Sequence, residues 1–453
     1  MRDLTQGPIH KHIIMLALPM AMGMLVQTLY FIVDLYFIAG LGDTALAGVS
    51  SAGTLNFAVM ALTQMLTVGA VTLISHAVGR KDQVEANIVF NQTIGLAIFC
   101  MVLTLALGYG GANFYMQHLA SDVETRQLGR TFIAWFLPGL ALQFAMAAGG
   151  AALRGTGVVK PAMVGQMLTV LVNLLLAPVL IAGWGTGYAM GVAGAGLATS
   201  IASLVGVFIM LFYFMKYETY VNFNHHQLRP KSRIYRKLLN IGLPAGAEFF
   251  FMFLFMVIIY FLIRDFGPAA QAGFGLGSRV MQAMFLPLMA ISFAIAPIAG
   301  QNFGAQLPAR VRETIWKAIY IESALMLMLS LLCQIEPRWV IHFFTRDEQV
   351  IEVATEFLRI ISWNFVATGI VFACSGMFQA LGNTWPSLIS MATRVLSFAL
   401  PAIWLSQQQG FEIKQLWYLS VATVLLQMFV SLFLVRHQLA RRLHQDFLAT
   451  EKT

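Results

Sequence analysis

The chain has 453 residues, of which 58% are hydrophobic and only 11% charged. Soluble domains carry about 25% charged residues, so the composition excludes an ordinary soluble enzyme and points to an integral membrane protein built of helices. Its net charge of +8 sits in loops on one side of the expected topology, a pattern that orients a chain in a membrane rather than binding nucleic acid. Cys100, Cys333 and Cys374 lie in or near apolar runs and make neither a disulfide framework nor a metal motif.

The polar start MRDLTQGPIHKH leads straight into a full-length apolar run, so no cleavable signal peptide is expected. Hydropathy then gives twelve spans, near 13–38, 47–75, 88–109, 131–153, 161–182, 191–215, 238–262, 275–301, 315–335, 355–379, 386–405 and 415–436. They are far longer than barrel strands of about 10 residues. Span one holds two residues that a lipid-facing helix avoids, Pro19 and Asp34. An acid at the centre of a membrane helix costs roughly 2.5–3.5 kcal/mol on insertion scales, and a proline removes a helix hydrogen bond and permits a bend. Gln27 and Tyr30 precede Asp34 by seven and four residues, so the three share a stripe. They read as a proton or cation site with a polar lining, and Pro19 as a hinge or a static kink. Span two is the least apolar, with Ser50, Ser51, Thr54 and Asn56, and is expected to face helices or water rather than lipid. Tyr36 and Asn56 join Gln27 and Tyr30 as the expected substrate contacts.

An even number of spans places both termini on one side. Nineteen of the 28 Lys and Arg residues fall in loops on that side and seven on the other. The positive-inside rule therefore puts both termini in the cytoplasm. The longest inner loop, 216–237, is basic and divides the chain into a first lobe 1–215 and a second lobe 238–436, followed by a tail 437–453. Its pair His225–His226 reads as part of a solvated linker rather than a metal site.

A shift of 225 residues lays the chain on itself: Leu18–Pro19 on Leu243–Pro244, Gly42 on Gly267, Gly79 on Gly304, Gly157 on Gly382 and Pro161 on Pro386. Because each half holds six spans, the copies share one orientation, as in parallel-repeat secondary transporters. The polar chemistry is not copied. Asp34 falls on Ile259, Asn173 on Phe398, Gly23 on Glu248, and Thr54 and Thr169 on Arg279 and Arg394. Asn173 is the expected partner of Asp34, since an amide can both donate and accept. Glu248, Arg279 and Arg394 are expected to form a polar network in the second lobe.

These residues resemble the multidrug and toxic compound extrusion (MATE) family over nearly the whole chain. The likeness rests on the Leu-Pro pairs opening spans one and seven and on Val33-Asp34-Leu35 running into Ala39-Gly40-Leu41-Gly42. It rests further on HAVGRKD (76–82) with its copy GQNFGAQ (300–306), on LRGTGVVKPAM (153–163) with its copy ALGNTWPSL (380–388), and on GVAGAGLATS (191–200). The resemblance implies an all-α, V-shaped bundle of twelve transmembrane helices in two lobes. It also implies cation-coupled export of amphipathic or cationic organic compounds, with Asp34 as the coupling acid of the first lobe. Members with that acid often carry a second one in span five. Here Asn173 and Pro178 are kept and the acid is replaced by Ala177.

The expected protein is thus a bacterial inner-membrane antiporter acting as a monomer, without a cofactor, whose partners are small organic substrates and protons, or sodium in its place, together with membrane lipids. A lipid-linked oligosaccharide flippase is the rival, with Arg279 and Arg394 as the bases for a pyrophosphate. An embedded enzyme is not supported, since no Ser–His pairing, metal cluster or phosphate loop stands at useful spacing.

Overall fold

The computed structural model describes residues 1–119, 122–342 and 345–450. Fifteen α-helices follow one another: α1 Ile9–Ala39, α2 Asp43–Gly53, α3 Leu55–Gly79, α4 Gln83–Leu119, α5 Val123–Gly155, α6 Lys160–Ala182, α7 Val192–Lys216, α8 Ser232–Ile263, α9 Pro268–Gly304, α10 Pro308–Ile335, α11 Arg338–His342, α12 Glu348–Ile361, α13 Phe365–Ala380, α14 Trp385–Ser406 and α15 Ile413–Thr450. They supply twelve runs long and apolar enough to cross a membrane, matching the twelve expected spans. Two of the runs are broken helices, α2–α3 and α12–α13. The first break falls at Thr54, in the span that reads as least apolar. There the Thr54 hydroxyl donates to the Ser51 carbonyl at 2.7 Å and also meets the Tyr115 hydroxyl.

The duplication is written in the backbone. Gly42 and Gly267, the residues before α2 and α9, have φ of 104° and 90°. Gly157 and Gly382 follow at 77° and 70°, and Gly185 and Gly410 at 76° and 80°. A non-glycine pair shares the rare left-handed conformation as well, Lys81 at 60° and Gln306 at 57°. In both copies this residue closes the same turn after a long helix, with the Lys81 amide on the Val78 carbonyl and the Gln306 amide on the Phe303 carbonyl.

Contacts divide the chain into two units, Met1–Asp3 with Met22–Gly242 and Leu4–Ala21 with Leu243–Thr453. In the first, α5 packs against α3, α4 and α7. The small-residue runs at 147–152 and 191–198 belong to this packing. The Ser200 hydroxyl of α7 donates to the Trp135 carbonyl at 2.5 Å and accepts from the Gly139 amide at 2.9 Å, both on α5. A Cβ at Gly196 would stand 2.8 Å from the Phe136 nitrogen, so the α5 and α7 backbones approach as only glycine allows. In the second unit α9 and α13 are the hub, around an apolar cluster holding Phe255, Ile259, Phe274, Phe357, Phe398 and Trp417.

The boundaries of the two units fall inside α1 and α8 rather than in the 216–237 loop, because the stretch before each helix is held by carboxamides. Gln301 accepts from the Leu4 amide at 3.0 Å, and Asn302 donates to the Leu4 carbonyl at 3.2 Å. In the first unit Asn87, Asn91 and Gln92 of α4 accept from the amides of Asn222, Asn224 and Lys231 at 2.7, 2.8 and 2.7 Å. The loop that reads as a solvated linker is therefore strapped to α4. His225 and His226 lie on its turn, and no group of three or more His, Cys, Asp or Glu stands at metal spacing among the described residues.

Candidate functional site

The first unit holds both expected coupling residues, Asp34 on α1 and Asn173 on α6. Gln166 of α6 donates to Gln27 of α1 at 2.7 Å. One turn earlier the helices touch closely, since a Cβ at Gly23 would meet the Met163 sulfur at 3.0 Å. As the first and fifth spans, α1 and α6 run the same way. Seven residues on from this bonded pair stand Asp34 on α1 and Asn173 on α6, each about 10.5 Å further along its helix. The Gln27–Gln166 bond thus fixes the two helices one against the other seven residues before each of these positions.

Asp34 is partly buried, and its Oδ1 is buried with no hydrogen-bond partner among the described residues. Asn173 is 3% exposed and donates to the Thr199 hydroxyl of α7 at 3.2 Å. Thr199 in turn donates to the Ala195 carbonyl at 3.2 Å. Ala177, where relatives are expected to carry a second acid, lies in an apolar cluster with Ile38, Phe132, Ile181 and Val192. A second carboxylate there would stand among hydrocarbon.

The other expected contacts are more dispersed. Tyr36 is 75% exposed, its ring edge-on to Phe37 at 5.6 Å, and Asn56 is partly buried on α3. The side chain of Tyr30 lies outside the described residues. Pro19 lies inside α1, which runs unbroken past it.

The second unit does not assemble its expected network. Glu248 of α8 is partly buried and accepts from the Ser387 hydroxyl of α14, which also shares a 2.9 Å contact with Ser375. Arg394 lays its guanidinium 4.5 Å from the centre of the Phe255 ring, and its buried Nε has no hydrogen-bond partner among the described residues. Arg279 is exposed on α9. Among the described residues the ion pairs are Arg80–Glu85, Arg264–Asp265 and Lys414–Glu412, and none of the three expected network residues is in them. The expected triad fails because its members point to different neighbours: a serine, a phenyl ring and open space.

Three residues of weight were not singled out by the sequence. Gln166 and Thr199 complete the polar face of α6 and α7, and Gln166 could have been found from its seven-residue spacing to Asn173. The third is Glu322, in the middle of α10. It is fully buried, and its carboxyl approaches the Ala373 backbone of α13 short of a full hydrogen bond. It stands against Gly369 of α13, where an added Cβ would lie 3.5 Å from its own Cβ. Its counterpart 225 residues earlier is Ala97, so no pattern announces it.

Comparison with known proteins bears on the family and the fold. A family model described as MatE matches residues 19–179 and again 244–405, two copies that start 225 residues apart. The multidrug export protein MepA of Staphylococcus aureus (strain bovine RF122 / ET3-1) is 27% identical over 390 residues, 83% of each chain. That of Staphylococcus haemolyticus (strain JCSC1435) is 25% identical over 455 residues, 97% of this chain and 96% of its own. Among solved structures, an outward-facing multidrug resistance MATE family transporter of the MOP superfamily matches with a TM-score of 0.90 at 24% identity, over 97% of this chain and 98% of that one.

Proposed function

The chain belongs to the MatE family, and from that footing we propose that it is an antiporter that exports amphipathic or cationic organic compounds in exchange for protons, with Asp34 as the protonation site. It is a multidrug efflux transporter of the MATE type and not an enzyme. The direction of exchange, the coupling ion and the site are the inferred part of the account.

One observation carries the assignment: a carboxylate in an apolar span with a buried oxygen that meets no donor among the described residues. Such a group costs least when it is protonated or when a cation approaches. Asn173 suits either state, since its amide can donate to a carboxylate or accept from a carboxylic acid. In the cycle this supports, the outward-open protein takes a proton on Asp34 and loses affinity for substrate. The substrate leaves, the protein turns inward, and release of the proton to the cytoplasm restores the binding state. Each turn exports substrate at the expense of one inward proton, because the two ligands stabilise different states of one site. Protons are preferred over sodium because one carboxylate and one amide are few ligands for a hard cation, which takes about six oxygens. Residence in the bacterial inner membrane, both termini in the cytoplasm and a monomeric state complete the reading. The flippase alternative gains nothing from Arg394, which lies on the Phe255 ring, or from Arg279, which is exposed.

Inverted proteoliposomes test it. A fluorescent organic cation is expected to accumulate when the lumen is made acid at equal sodium on both sides. Accumulation driven by a sodium gradient alone, with no response to the pH gradient, would overturn proton coupling.

A further inference from the structure

The first two turns of α8 bear Arg233, Arg236 and Lys237, spaced so that the three cations share a face, with Asn240 one turn on. All four, together with Ser232, are exposed and line an open recess of about 640 Å³. This runs against ordinary helix electrostatics. The N-terminus of a helix carries partial positive charge and favours acids, yet the first turn of α8 contains none. None of the ion pairs among the described residues reaches these cations.

Nor can the turn swing away to relieve the repulsion, because its opposite face is pinned. Leu238 is buried, and a Cβ at Gly69 of α3 would stand 2.6 Å from the Leu238 carbonyl oxygen. The Tyr235 hydroxyl lies against Gly95 of α4. Immediately upstream, Gln92 accepts from the Lys231 amide and donates to the Arg229 carbonyl at 2.8 Å. The fold does not require the cluster either. In the first copy the matching positions are Gly7, Pro8, Lys11, His12 and Met15.

We propose that this recess binds the phosphodiester headgroup of an anionic phospholipid. α8 continues from the basic turns into a span whose apolar window has a mean hydropathy of 2.4, so the cations stand where that span meets the headgroup layer. Anionic lipid attracts Lys and Arg placed there, within a Debye length of the surface. A phosphodiester accepts paired hydrogen bonds from a guanidinium, and the Ser232 hydroxyl adds a donor. A choline or ethanolamine headgroup brings its own cation into a cationic recess. The lipid expected is therefore one without a headgroup amine, such as phosphatidylglycerol.

The test is native mass spectrometry of the full-length protein in detergent, titrated with phosphatidylglycerol and with phosphatidylcholine of equal chain length. The wild type is expected to retain phosphatidylglycerol preferentially. Arg233→Gln/Arg236→Gln/Lys237→Gln is expected to weaken that binding on the order of tenfold or more, with phosphatidylcholine unchanged. Lys11→Gln/Lys160→Gln/Lys317→Gln, which removes three exposed lysines elsewhere on the same side, is expected to leave it intact. Arg236→Glu alone, read in the same titration, gives the answer should the triple variant not be recovered folded, and a loss of several-fold is expected. Unchanged phosphatidylglycerol binding in the α8 variants would overturn the proposal, as would equal loss in the control triple, which would show diffuse attraction only. Displacement of the lipid by millimolar inorganic phosphate or glycerophosphate would assign the recess to a free anion instead and overturn the lipid.

Discussion

α1 and α8 each begin in a stretch pinned by carboxamides, and each holds a proline, Pro19 or Pro244, close to where the chain passes between contact units, after Ala21 and after Gly242. Beyond that shared frame they part. α1 carries Asp34, and α6 carries Asn173. In the copy the same two positions hold Ile259 and Phe398, both buried in one apolar cluster, where Phe398 also packs on Phe255 at 4.8 Å. α8 instead carries Glu248, one hydrogen bond from Ser387, and a basic opening turn. The difference teaches where the chemistry can reside. Both copies carry the same turns and a proline inside the matching helix, whereas the first holds Asp34 and Asn173 where the second is filled with hydrocarbon.

The comparison can be broken by moving the acid. Ile259→Asp puts a carboxylate into the apolar cluster with no amide at the matching position, and is expected to destabilise the protein by about 3 kcal/mol, read as a lowered thermal midpoint in detergent. A variant as stable as the wild type would show that the second copy also accommodates an acid at this level. The second unit's own unmatched acid gives the opposite sign. Glu322→Met keeps the volume and removes a buried carboxyl that approaches only the Ala373 backbone among the described residues, and is expected to stabilise by about 1 kcal/mol. A loss of stability would reveal a partner for the carboxyl that only another state of the protein supplies. A smaller effect sharpens the contact of α1 with α6. The Gln27–Gln166 bond is expected to show a coupling energy of about 0.6 kcal/mol in a double-mutant cycle with alanine, and strictly additive single variants would dissolve that pairing. Smallest of all, Glu248→Gln can still accept from Ser387, and gradient-driven export is expected to stay within about twofold of the wild type. A large loss would move coupling into the second unit.

Much of this was legible in the sequence for a physical reason. Spans declare themselves by length and hydropathy, and a duplication declares itself where turns demand special residues, as at Gly42 with Gly267 and Gly157 with Gly382. Lys81 and Gln306 show the limit of that signal, since two unlike side chains adopt the same left-handed turn. The straps on Leu4 and Lys231 were hidden because their bonds go to backbone amides, which any sequence supplies. Glu322 was hidden inside a helix whose polar residues are spread along its length. The expected joining of Glu248, Arg279 and Arg394 failed because opposite charge in one half of a chain says nothing about direction, and a guanidinium can settle on a phenyl ring such as Phe255. Asp34 was legible because a carboxylate is costly in any apolar span, while Thr199, its neighbour's partner, sits in a run of small residues that reads as packing alone.

The central claim is that one proton site on α1 governs substrate affinity. Its most direct test is the number of protons released per organic cation bound by purified protein in weakly buffered solution, compared between wild type and Asp34→Asn. The account predicts close to one proton released by the wild type where Asp34 is protonated beforehand, with binding that strengthens as pH rises, and no release and no pH dependence in Asp34→Asn. Undiminished proton release by Asp34→Asn would contradict it.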